Sequence, residues 1–356
     1  MTRLKIRNRN LVFVFDKRRI RTATIALTLV AGYLLAMDPI ESISYADDGA
    51  TLAPLAASVI DAVRGKIAST KQGLVFNDLP SVADSAKPCV VLVPGLLAAE
   101  GSMASFCSAI EKLSFSTAIF HYSSHAGIKP AAIQLAAELR NLKEKRPDRR
   151  VVLLTHSMGG LVARCCVEDT TLNPGNVQQL LLIAPPNHGS AVAKLSAAEL
   201  SEKLGWDKQI GETGVKSIDQ VAGSLFGIAK DELLPGSTIL QELNARSRAE
   251  GVKYCVIAGT GGPVPGELIQ LSLLLGGLLL PEDPQAQAAL KSASDLANLD
   301  EWTKGRGDGV VSVSSAKLSG VEDFLTLPFA HNEFGDMTSQ ASKQVIAEVL
   351  KRLIAK

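Results

Sequence analysis

The chain has 356 residues, enough for one large α/β domain with insertions or for two small domains. Hydrophobic residues make up 46% and charged residues 21%, ordinary globular proportions with ample apolar material for a core. With 4% aromatics and a formal net charge of +1, the chain offers neither stacking platforms nor a basic footprint, which excludes nucleic acid as the expected partner.

The charge is unevenly spread. Arg3, Lys5, Arg7, Arg9, Lys17, Arg18, Arg19 and Arg21 form a basic N-terminal region, and the remainder is mildly acidic. Residues Thr22 to Met37 carry no charge, and Ser44-Tyr45-Ala46 puts small residues at the −3 and −1 positions of a cleavage site. Residues 1–46 therefore read as an export signal, which directs the protein to the periplasm or the exterior. The apolar stretch is shorter than the roughly 20 residues of a spanning helix. An uncleaved N-terminal membrane anchor is the alternative, and Arg18-Arg19 permits a twin-arginine reading.

Residues 47–87 read as a helical extension, with Leu55, Val59, Ile60, Val63 and Ile67 at helical spacing. The domain proper is expected over 88–356. Its first strand is Cys89–Val93, a continuous apolar run stopped by Pro94-Gly95, as suits a strand buried on both faces. Further strands are expected at Thr117–Tyr122, Val151–Leu154, Leu180–Ala184, Tyr254–Ala258 and Phe324–Leu327. Helices are expected at Met103–Leu113, Ala131–Glu144, Met158–Val167 and Ser339–Ile354. This alternation predicts a doubly wound, mostly parallel α/β sheet of about six strands with helices on both faces. Residues near 190–250 and 260–306 do not fit the alternation and read as insertions. The second contains Leu268-Ile269 and then Leu271–Leu280, interrupted only by Ser272, Gly276 and Gly277. It is too short to span a bilayer and reads either as a core helix broken at the glycines or as a lid facing acyl chains. The five cysteines, Cys89, Cys107, Cys165, Cys166 and Cys255, are odd in number and lie in apolar patterns, so they read as buried hydrophobes, not a disulfide framework. No CxxC pair suggests a metal site.

The chemistry centres on Thr155-His156-Ser157-Met158-Gly159-Gly160, where a buried strand runs straight into a helix. A sharp turn at Ser157 strains the backbone and requires small residues two and three positions on. Gly159 and Gly160 supply that room. Ser157 then projects at the carboxyl end of the sheet, at a helix N-terminus that favours negative charge. The alternative is a serine that N-caps the helix. The strand–turn–helix context of Thr155–Arg164 resembles the nucleophile elbow of the α/β-hydrolases, lipases and esterases in particular, with Thr155 where the pentapeptide usually opens with glycine.

That resemblance implies a cap or lid on an α/β-hydrolase fold and a triad in the order Ser, acid, His. Val91–Leu97 resembles the loop after the first core strand, with Pro94 in place of the usual His; by this resemblance the backbone N–H groups of Leu96 and Met158 form the oxyanion hole. Of the five histidines, only His188 and His331 follow Ser157. His188 lies in Pro185–Ser190, which resembles a loop beside the site that does not supply the base. His331 lies between the last strand and the terminal helix, where the fold holds its base. His156 adjoins Ser157 but is expected to point away from it, and His121 and His125 flank a strand end. The acid is expected at Asp308, in a Gly307-Asp308-Gly309 turn that exposes the carboxylate ahead of an apolar alternation. This segment resembles the Asp-Gly-Val stretch of bacterial lipases; Asp295, Asp300 and Asp323 are rivals. Lipases of that kind can hold a structural calcium near the base, and Glu333 stands where a ligand would. No second carboxylate matches, so neither a metal nor a cofactor is expected.

The reading is an exported serine hydrolase that cleaves carboxylic esters, small-molecule or lipid, through an acyl-enzyme. An acyltransferase or lipid deacylase of the same fold is the nearest alternative, and a non-catalytic binding protein the alternative of another class. A peptidase fits the apolar insertion less well. Association with a membrane surface stays open.

Overall fold

The computed structural model describes residues 5–8, 11–14, 72–76, 87–96, 103–194, 229–262, 299–331, 333–335 and 338–355. Near the N-terminus β1 (Lys5–Asn8) and β2 (Leu11–Val14) pair antiparallel. The apolar run 268–280 and the helical pattern at 52–69 lie outside the described residues, as does residues 1–46 apart from this hairpin. Among the described residues no helix is long and apolar enough to cross a membrane.

The main sheet has seven described strands in the order β3-β5-β4-β6-β7-β8-β9: β3 (Gly73–Phe76), β4 (Cys89–Val93), β5 (Ser116–His121), β6 (Val151–His156), β7 (Val177–Ile183), β8 (Lys253–Gly259) and β9 (Phe324–Leu327). All neighbours are parallel except β3, which runs antiparallel to β5 at the edge. Strands buried on both faces need apolar residues at every position, and β4 and β6 are buried along their full length. Alternate residues feed two cores. Val91, Leu153 and Leu182 pack with helices α2 (Ile128–Lys145) and α3 (Met158–Glu168) on one face. Val90, Leu92, Leu154 and Leu181 pack with α1 (Ala104–Glu111) and α6 (Gln340–Ile354) on the other.

Two expectations need correction. Gly73–Phe76 lies in the segment read as helical, yet it is a strand: Leu74-Val75-Phe76 is a short β-prone run lying along the open edge of β5. The sheet thus gains a seventh strand. Ser312 accepts the Ser315 N–H and starts a short helix, α5 (Val313–Ala316). Asp308 itself is buried rather than exposed, as described below.

The described part of the first insertion packs onto the domain through apolar and polar contacts. Its helix α4 (Thr238–Ala245) buries Leu240 and Leu243. Glu232 accepts the Ile128 N–H at 2.6 Å and so supplies α2 with the acidic N-terminal partner its own first turn lacks. Arg164 of α3 is fully buried. Its guanidinium pairs with Glu168 at 3.1 and 3.2 Å and donates to Asn187 Oδ1 at 2.9 Å, Asn244 Oδ1 at 3.1 Å and the Leu243 carbonyl at 2.8 Å. Arg248 donates to the same Glu168 at 2.6 Å. Burial pulls the Arg164 pKa down and pushes that of Glu168 up, and in each case the partner charge opposes the shift. Arg164→Ala would leave a buried carboxylate and two amide oxygens short of donors. Urea unfolding is expected to show a loss of about 3–5 kcal/mol.

Candidate active site

The sheet order reverses between β4 and β6, because the chain steps from β4 outward to β5 and then crosses back to β6. Loops leaving the carboxyl ends of two such strands diverge and open a crevice. Pro94-Gly95-Leu96 leaves β4 there, and Ser157 leaves β6.

Ser157 has φ 52° and ψ −129°, a conformation that costs a non-glycine residue about 1–3 kcal/mol. It is held by its own N–H donating to the Ile183 carbonyl at 2.9 Å and by the Gly160 N–H donating to its carbonyl at 2.9 Å. Gly159 is sterically compelled: a Cβ there would lie 2.3 Å from the Val93 oxygen and 2.5 Å from the Pro94 oxygen. Gly160 is tight but less so, with Pro185 Cβ at 3.1 Å. Thr155 is accommodated where glycine is usual because its buried hydroxyl donates to the Leu181 carbonyl at 3.3 Å. Ser157 occupies the N-cap position of α3, but its side chain makes no capping hydrogen bond. Its hydroxyl instead lies 3.0 Å from His331 Nε2.

The imidazole of His331 continues this line. Its Nδ1 is 2.8 Å from Asp308 Oδ2. The other oxygen of Asp308 accepts the N–H groups of Val310 at 2.9 Å and Val311 at 2.7 Å, so the carboxylate is fully engaged at 2% exposure. Asp308 and His331 are also joined through the backbone, since the His331 N–H donates to the Asp308 carbonyl at 2.8 Å. The end of β8 forms their cradle. A Cβ on Gly259 would sit 2.6 Å from Asp308 Cβ, and one on Gly261 would sit 2.5 Å from the Phe329 carbonyl carbon. Gly261 and Gly262 donate to the carbonyls of Phe329 and Gly307 at 3.0 and 2.7 Å. This close packing is why the acid turn is buried.

Gly95 packs directly on the elbow: a Cβ there would be 2.9 Å from Ser157 Cβ. Tyr122 anchors the same loop by donating to the Pro94 carbonyl at 2.7 Å. Leu96 follows in that loop and Met158 is the first residue of α3, so the two named oxyanion donors come from segments in contact.

The structure separates the rivals from this line. Asp300 pairs with Arg306 at 2.8 Å and Asp323 with Arg352 at 2.7 Å, while Asp295 lies outside the described residues. His188 is exposed, with its ring near Asn244, and His121 ends β5. Glu333 accepts the Ala330 N–H at 3.0 Å with one oxygen and the Ser339 hydroxyl with the other, which ties the base loop to the start of α6. Among the described residues no three His, Cys, Asp or Glu side chains form a metal-binding group, and all five cysteines are free and buried.

Two contributors escape a sequence reading. One is the Gly259–Gly262 cradle, whose only signal is glycine density after a strand. The other is His156, which meets the loop that carries His331: its Nε2 is 3.1 Å from the His331 carbonyl oxygen.

Comparisons with known proteins agree with this architecture. The family profile of a PGAP1-like alpha/beta domain matches residues 122–226. The mature lipase BlEst2 of Bacillus licheniformis superposes with a TM-score of 0.52 at 18% identity, over 79% of this chain and 97% of that one. The phospholipase PlaB of Legionella pneumophila gives 0.50 at 18% identity, over 76% of this chain and 60% of that one. No curated protein matches the sequence. The chain has the α/β-hydrolase fold, with its strand order, elbow and crevice.

Two outcomes follow from the geometry. Gly159→Ala must displace the Val93–Pro94 backbone, and labelling of Ser157 by a fluorophosphonate is expected to slow about 100-fold. Gly160→Ala should slow it much less. Burial and the neighbouring His331 hold the His156 pKa well below 6.5. The unfolded chain therefore binds a proton that the folded chain refuses, and stability present above pH 6.5 is lost as the pH falls toward the folded-state pKa. Urea midpoints between pH 7.5 and 4.5 should show a drop that is smaller in His156→Phe.

Proposed function

We propose that the protein is a serine hydrolase of carboxylic esters, with acyl or lipid esters as its substrate class. The observation that carries the reading is the buried line from Ser157 Oγ to His331 Nε2 at 3.0 Å and from His331 Nδ1 to Asp308 Oδ2 at 2.8 Å. His331 takes the Ser157 proton as the hydroxyl oxygen attacks the ester carbonyl. Asp308 fixes the tautomer that leaves Nε2 free to accept and stabilises the imidazolium. The Leu96 and Met158 N–H groups receive the oxyanion, each worth roughly 3 kcal/mol in the transition state. The imidazolium then protonates the leaving alcohol, and water activated by His331 releases the acid from the acyl-enzyme.

The lipid class rests on the apolar run at 268–280 together with the lipase and phospholipase among the proteins of the same fold. Export, and a signal or anchor in residues 1–46, rest on the N-terminal charge pattern. An acyltransferase or deacylase would use the same three side chains and differ in the acceptor that meets the acyl-enzyme.

Hydrolysis of p-nitrophenyl esters from acetyl to palmitoyl tests the reading. Wild type is expected to turn over with an optimum at medium or long chains, Ser157→Ala to lose all turnover, and Asp308→Asn to lose about 10⁴-fold in kcat. If wild type neither hydrolyses any ester nor reacts with a fluorophosphonate, the protein is a binder and the ester reading fails.

A further inference from the structure

The ring of His156 touches four parts of the site at once. Nε2 lies 3.1 Å from the His331 main-chain carbonyl. A carbonyl only accepts, so this nitrogen carries the hydrogen. The neutral ring then has its lone pair on Nδ1, and that nitrogen rests against the β4 loop, 3.2 Å from where a Cβ on Gly95 would be. One ring face stacks on Phe334 at 3.7 Å and 12°, and the His331 ring is 4.7 Å away, tilted by 45°. His156 is also covalently next to Ser157. A ring that stays uncharged adds no second positive charge beside His331 when the latter holds the transferred proton.

We infer that His156 is the positioning residue for the base: it donates one hydrogen bond to the main chain of His331 and braces the loop that carries Leu96, so base and oxyanion donors are set by one ring. This rests on the role of His331 given above. Phenylalanine would keep the stacking and lose the donor, whereas glutamine would keep a donor and lose the stacking.

The experiment compares wild type, His156→Phe and His156→Gln in the full chain. It reads kcat and KM for a p-nitrophenyl ester, thermal unfolding, and the low-field proton resonance of His331 Nδ1–H, assigned by its loss in His331→Gln. In His156→Phe, kcat is expected to fall about 10- to 100-fold with KM within twofold and a weakened or shifted low-field resonance. His156→Gln should recover most of kcat and the wild-type resonance. Wild-type kcat and resonance in a folded His156→Phe would overturn the proposal, as would equal losses in both variants. Should His156→Phe fail to fold, Phe334→Leu removes the stacking and leaves the hydrogen bond. Near wild-type kcat there supports the proposal, and a 100-fold loss overturns it. The resonance requires no turnover, so a chain inactive on esters still reports whether His156 holds His331.

Discussion

Two backbones in direct contact underlie the whole site. Where α3 begins, Gly159 presses against the carbonyl oxygens of Val93 and Pro94 at a distance no side chain tolerates. That approach brings the β4 loop onto the elbow and places Gly95 against Ser157. It also lets a serine with positive φ persist, because β7 supplies a fixed acceptor for the Ser157 N–H and the first turn of α3 a fixed donor for its carbonyl. The parallel order of β4 beside β6 makes the meeting possible, since both strands end at the same level in the crevice.

Asp308 and His331 reach the crevice from the segments that follow β8 and β9, and they are built as one unit. Asp308 and His331 exchange both a side-chain and a main-chain hydrogen bond, and the glycines at the end of β8 clasp the pair. A carboxylate this buried needs several donors, and it has three: two backbone N–H groups and the imidazole. The arrangement fixes the imidazole's tautomer and plane before any ligand arrives.

How much of this was legible follows from how local each feature is. The elbow spans six consecutive residues with a strand before and a helix after, so Ser157, Gly159 and Gly160 could be read directly. His331 followed from chain order and the small number of histidines, and Asp308 from its Gly-Asp-Gly context. What the pattern hid was nonlocal. The burial of Asp308 depends on glycines about fifty positions earlier, and the cap of α2 on a glutamate about a hundred positions later. His156 looked like a spectator because its partner carbonyl is 175 positions away. Short elements also misled. Gly73–Phe76 lies in a stretch read as helical, yet its β-prone residues pair with the edge of β5.

The strand Gly73–Phe76 changes where the α/β domain begins. It pairs residue for residue with His121 to Ala118 and covers the outer backbone groups of β5. Gly73 also sits against Glu138 of α2. Without it β5 would present a row of open amides and carbonyls, so the strand moves the open edge of the sheet one position outward, further from Ser157.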